Sequence, residues 1–107
     1  MQGYQLEFFM EQNKRHGHQA LYEWLIDTAR SHGIRGATVF MGALGFGHHR
    51  RLHSAHFFDI ADQPVEVTMV VSQDEADRLF ALLEQERVPL FYVKLPVEFG
   101  IIGDTGA

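Results

Sequence analysis

Between Gly42 and His56 the chain reads Gly-Ala-Leu-Gly-Phe-Gly-His-His-Arg-Arg-Leu-His-Ser-Ala-His, with three glycines, four histidines, two arginines and no carboxylate. Glycines let neighbouring backbone N–H groups converge on an anion, and arginines add forked donors matched to phosphate or carboxylate. Gly42, Gly45, Gly47, Arg50 and Arg51 are therefore the candidate ligand contacts. The competing explanation is that the glycines only give a turn its positive φ angles. The spacing is not the dinucleotide fingerprint, whose glycines fall in a different order and open a crossover helix. It is not a P-loop either, because no Gly-Lys-Ser/Thr follows.

The histidines raise a metal site as a second chemistry. His49 and His53 would share one face of a helix, and His53 and His56 lie within one turn. Imidazoles suit zinc, copper or nickel, yet the adjacent arginines repel a cation and no carboxylate is at hand. No metal ligand is assigned, and no cofactor. Nucleophilic catalysis needs a positioned base and an orienter. Ser54 between His53 and His56 supplies no such arrangement, so no catalytic residue is assigned and the chain reads as a non-enzyme. The polar connection with Lys14, Arg15, His16 and His18 could line the same cleft, but reads first as a solvated turn.

Composition limits the partners. The 107 residues make one domain, 46% hydrophobic, with no cysteine to form a disulfide or a thiolate metal site. A net charge of −5 argues against nucleic acid; with Arg50 and Arg51 set aside, the rest carries −7. An acidic body with one basic loop attracts a small anion or an acidic protein surface. No signal peptide is evident and no apolar run is long enough to span a bilayer, so a cytoplasmic protein without membrane insertion is expected.

The elements that must hold the loop follow from periodicity. Tyr4, Leu6 and Phe8 alternate as a first strand, and Leu21, Trp24 and Leu25 recur at helical spacing, predicting a helix over 19–32 closed by Gly33. Ile34–Met41 reads as a second strand, in which Gly36 and Ala37 would admit close approach of a neighbour. Phe57–Ile60 begins a third extended region, and Val65, Val67, Met69 and Val71 share one face of the strand beyond Pro64. Ser72 and Glu75 form a capping box for a helix over 73–86, and Leu90–Leu95 supplies the last strand. The order predicts an α+β fold, a ferredoxin-like βαββαβ sandwich with a four-stranded antiparallel sheet and both helices on one face. Residues 42–56 become the loop between strands two and three, and 96–107 a partly ordered tail. The uncovered sheet face, supplied with phenylalanines, predicts a homo-oligomer.

Gly33-Ile34-Arg35-Gly36-Ala37-Thr38-Val39, Gly42-Ala43-Leu44-Gly45-Phe46-Gly47, Pro64-Val65-Glu66-Val67 and Val93-Lys94 together make the chain resemble the PII-like proteins, in particular the family called domain of unknown function 190. The resemblance runs over about residues 2 to 102. It implies a trimer with inward-facing sheets, adenine nucleotide bound between subunits near the loop base, and a partner protein docking on the loop. PII proteins also place a phosphate-binding loop with glycine and lysine between helix two and the last strand. Here Gln85-Glu86-Arg87-Val88-Pro89 has neither, which shifts anion contacts towards Gly45, Gly47, Arg50 and Arg51. The expected function is regulatory, sensing a small anionic metabolite. The alternative is a metal-binding trimer resembling the divalent-cation-tolerance proteins.

Overall fold

The computed structural model describes residues 1–42, 44–46, 52–54 and 63–103, with 44–46 and 52–54 described through their backbone. The long strand β1 (Gln2–Glu11) lies inside a four-stranded antiparallel sheet. It pairs on one side with β7 (Pro64–Ser72) and on the other with β8 (Phe91–Glu98), and β4 (Thr38–Met41) flanks β7. Helices α1 (Leu21–Ser31) and α2 (Gln73–Gln85) supply the second layer. The order β4-β7-β1-β8 is the ferredoxin-like arrangement expected from the sequence. Among the described residues no helix is long and apolar enough to cross a membrane.

Strand alternation builds the core. Leu6 faces across to Met69 and Phe8 to Val67, and all four are buried with Val65 and Val71. Leu21, Leu25 and Ala29 of α1 and Ala76, Leu79 and Leu83 of α2 close over them. Each fully buried Leu, Val, Phe or Met in this cluster contributes about 1.5–3 kcal/mol.

The helix ends are set locally. The Ser72 hydroxyl accepts from Glu75 N–H at 3.2 Å while the Glu75 carboxylate accepts from Ser72 N–H at 2.7 Å, the predicted capping box. Both helices end in the same motif, in which the second residue past the cap donates back into the last turn. Ile34 N–H reaches Ala29 O at 3.1 Å, and Val88 N–H reaches Leu83 O at 3.1 Å. The left-handed position is Gly33 at φ 86° in one and Arg87 at φ 55° in the other.

Four expectations are corrected. The second strand starts at Thr38 and not at Ile34, because Ile34 is drawn into the core by the end of α1 and Arg35 to Ala37 are exposed with no ladder partner. The close approach expected at Gly36 is absent, since nothing described lies within 4 Å of a Cβ placed there. The last strand continues through Pro96 to Glu98, three residues into the stretch read as tail; β8 is an edge strand, where a proline's missing N–H costs no ladder bond. Gln12–His18 is no plain turn: β2 (Arg15–His16) and β3 (Gln19–Ala20) form a two-stranded ribbon about Gly17 at φ 63°. The extended region predicted at Phe57–Ile60 lies outside the described residues.

Ser72→Ala should lower stability by about 1 kcal/mol through loss of the cap, and Arg87→Gly should raise it by up to about 1 kcal/mol by relieving the left-handed strain. Urea denaturation of the two variants checks both signs.

Candidate functional site

The candidate loop leaves and re-enters the sheet through a tight gate. Met41 pairs with Val65, and the Gly42 N–H then donates to Pro64 O at 2.7 Å. A Cβ at Gly42 would stand 2.9 Å from Pro64 Cγ, so glycine is required here by close packing on a rigid ring. Pro64 is the first residue of β7, where its missing N–H is tolerated.

Beyond the gate the backbone does not stay irregular. Strands β5 (Leu44–Phe46) and β6 (Leu52–Ser54) form an antiparallel ladder in which Gly45 faces His53 and Leu44 faces Ser54. Of the predicted contacts, Gly42 is thus at the gate and Gly45 within this ladder. Gly47, Arg50 and Arg51 lie outside the described residues, as do His49 and His56. Among the described residues no three of His, Asp and Glu come together as metal ligands.

The connection after β1 meets the same end of the sheet. Glu11 pairs with Pro64, and the Gln12 N–H donates to Gln63 O at 2.9 Å. The ribbon that follows is fastened to the helices. Leu21 N–H donates to Lys14 O at 2.8 Å and Gln19 Nε2 donates to Asp27 Oδ2 at 2.6 Å, while within the ribbon Arg15 Nη2 donates to His18 O at 2.6 Å. The His16 ring lies 4.1 Å from the Trp24 ring, and His16 Nε2 stands 3.8 Å from Glu86 Oε2.

A cleft of about 490 Å³ opens beside this ribbon, lined by Gln12, Asn13, Arg15, Ala20, Tyr22 and Glu23. Gln12 Oε1 is buried without a hydrogen-bond partner among the described residues. Partial burial pushes the Tyr22 phenol up from its ordinary range, and the charge and hydrogen bond of Glu23 add to the shift. The sequence reads Arg15 and His16 first as part of a solvated turn, and the ribbon that holds them was missed. The clue was Gly17 between two polar pairs, since a left-handed residue in a short polar stretch marks a reversal.

The connection between α2 and β8 opens with the closing turn of α2. The N–H groups of Glu86, Arg87 and Val88 donate to Leu82, Glu84 and Leu83 carbonyls at 2.9, 3.0 and 3.1 Å. Those amides are turned back on the helix and form no cradle for an anion.

Comparison with known proteins gives a consistent set of likenesses. A family model, DUF190, described as Uncharacterized ACR, COG1993, matches residues 3–88. A UPF0166 protein of Aquifex aeolicus (strain VF5) is 26% identical over 81 residues, covering 75% of this chain and 74% of its own. Among solved structures, CPII of Thiomonas intermedia K12, a nitrogen regulatory PII-like protein bound to ADP, AMP and bicarbonate, is 17% identical. It superposes with a TM-score of 0.70 over 94% of this chain and 91% of its own. A PII-like signalling protein of Thermus thermophilus is also 17% identical, with a TM-score of 0.67 over 91% and 88%. At these identities the structures establish the fold, which is PII-like.

Gly42→Ala should destabilise the protein by about 1–3 kcal/mol, because the new methyl overpacks against Pro64. Chemical denaturation checks the loss, which a purely ligand-contacting glycine would not show.

Proposed function

The chain belongs to the DUF190 family, and we propose that it is a PII-like regulatory protein that binds a small anionic metabolite, an adenine nucleotide first among them, and signals through residues 42–56. The observation that carries this reading is the gate. The loop stands on Gly42 and Pro64, and the same sheet end receives the β1–α1 connection through Gln12 and Gln63. A ligand settled at that base touches the starting points of several elements at once. It can therefore favour one loop arrangement over another, which is the condition for any ligand-driven switch.

In this reading Gly42 sets the base, its N–H already donated to Pro64 O. Gly45, Gly47, Arg50 and Arg51 supply the anion contacts, and a partner protein docks on the loop. The protein works by binding, without turnover. The ADP, AMP and bicarbonate held by the Thiomonas intermedia protein support the choice of ligand class. A homotrimer joined by its sheet faces supplies the second wall of each ligand cleft. Support for that assembly is the open face itself, on which Phe9, Phe40 and Phe91 are 37%, 53% and 59% exposed.

Titration calorimetry with ATP, ADP, AMP and bicarbonate on metal-free protein should show heat for at least one nucleotide. Arg50→Ala and Arg51→Ala should each weaken it about tenfold. No heat with any of them, together with stoichiometric zinc or copper uptake that is lost in His49→Ala, would replace this reading with the metal-binding trimer. Light scattering behind a sizing column should give a trimer mass, reduced to a monomer by Phe91→Asp.

A further inference from the structure

The register assigns every strand residue to a face. Lys94, opposite Leu6, belongs to the helix side, with its Nζ 4.2 Å from the Tyr4 ring centroid and 5.5 Å from that of Phe80. The open side carries two rows that cross all four strands. One runs Phe40, Glu66, Phe9, Phe91, and the next runs Thr38, Thr68, Glu7, Val93. The Phe9 and Phe91 rings stand 5.8 Å apart in the first row. Glu66 and Glu7 thus sit among apolar and hydroxyl neighbours near the middle of the face, both already partly buried in the single subunit.

Neutral groups meet these carboxylates. Thr68 Oγ1 donates to Glu66 Oε2 at 2.8 Å, and Gln5 Nε2 donates to Glu7 Oε2 at 3.3 Å. On the described part of this face β4 and β8 contribute no charged side chain beside them, β1 contributes Glu7 and Glu11, and β7 contributes Glu66. None of the described residues on it is basic.

Four strands at about 4.8 Å spacing and about eight residues of about 3.3 Å make a face of about 500 Å². That is within reach of the roughly 600–1,000 Å² that one partner gives to a specific interface once the strand ends and side-chain relief are added. A copy of the chain fits such a face in size and in its phenylalanine row, yet it brings the same two carboxylates. We propose that copies of this chain pack by this face and that Glu7 and Glu66 set how tightly, holding the assembly in balance between apolar attraction and like-charge repulsion. This rests on the trimer reading above and adds its regulation. Whatever neutralises or screens the two carboxylates tightens the assembly.

The test is sedimentation velocity of the full chain across a dilution series, at about 50 mM and about 500 mM sodium chloride, where screening differs severalfold. Glu7→Gln and Glu66→Gln keep the side-chain shape and a hydrogen-bonding carbonyl, and circular dichroism confirms that the variants fold. Each should tighten assembly about tenfold, since like charges placed together at an interface are strongly unfavourable. High salt should tighten the wild type, and the double variant should lose that salt response. Weaker assembly in either variant would mean that cationic groups of a neighbouring copy meet the carboxylates, and would overturn the proposal. Assembly unchanged by substitution and salt would overturn it as well, with the trimer intact. If wild type and both variants remain monomeric at every concentration, the trimer reading itself falls and takes this inference with it.

Discussion

Burial on one side of β1 is the constraint from which the rest of this structure follows. Leu6 and Phe8 sit opposite Met69 and Val67, and two helices of 11 and 13 residues cover that side. A one-residue slip in the β1–β7 ladder would turn every one of these side chains to the other face, so the register is fixed by the core. The same alternation decides where everything else goes. Residues between the core positions must point away from the helices, and in this chain they include phenylalanines as well as glutamates. Two helices can cover one side of a four-stranded sheet, and the other is left to whatever the protein meets.

Fixing the register also fixes the loop. Because Val65 is held in the core opposite Met10 and Met41, the residues just outside it, Gly42 and Pro64, are brought together at the sheet end. Gly3 shows the same economy at the far end, where a Cβ would strike Val71 O at 2.0 Å and the Phe99 ring at 2.7 Å. Close backbone approach at both ends of the central strands leaves little freedom there. The sequence between Gly42 and Pro64 is therefore anchored where the backbone is closely packed and hydrogen-bonded. That is the arrangement a binding loop needs, since its contacts are useful only when the scaffold defines where they start.

What was legible in the amino-acid sequence, and what was not, divides along the range of the interactions. The alternation of Val65, Val67, Met69 and Val71, the helical spacing of α1 and the Ser72–Glu75 box are local, and each was read with its partners. The β4 start, the ribbon at Arg15–Ala20 and the passage of β8 through Pro96 depend on which strand lies beside which. Pro96 ends a strand by propensity, but on an edge its N–H is not needed. Arg35 to Ala37 lead into the β-branched Thr38 and Val39 but have no ladder partner of their own. At the candidate site, the reason for Gly42 was visible once Pro64 lay against it. The placing of Glu7 and Glu66 in one face needed the register, because their positions in the chain are 59 residues apart.

Arg87 shows how a helix-closing turn limits what its own backbone can bind. Both helices close with the same backward hydrogen bonds, and the first uses glycine at the left-handed residue, where glycine is unstrained. Arginine at that position keeps the motif at the cost of some backbone strain. The motif itself, and not the side chain, decides the chemistry. An anion cradle needs several N–H groups free and convergent, whereas here the amides of Glu86, Arg87 and Val88 are already donated to the last turn of α2. For a phosphate to bind through this backbone, those bonds would have to open and leave the Leu82, Leu83 and Glu84 carbonyls without partners. The Arg87 side chain itself is exposed, one residue beyond the helix cap. The turn is thus built to finish a helix, and its backbone offers an anion nothing.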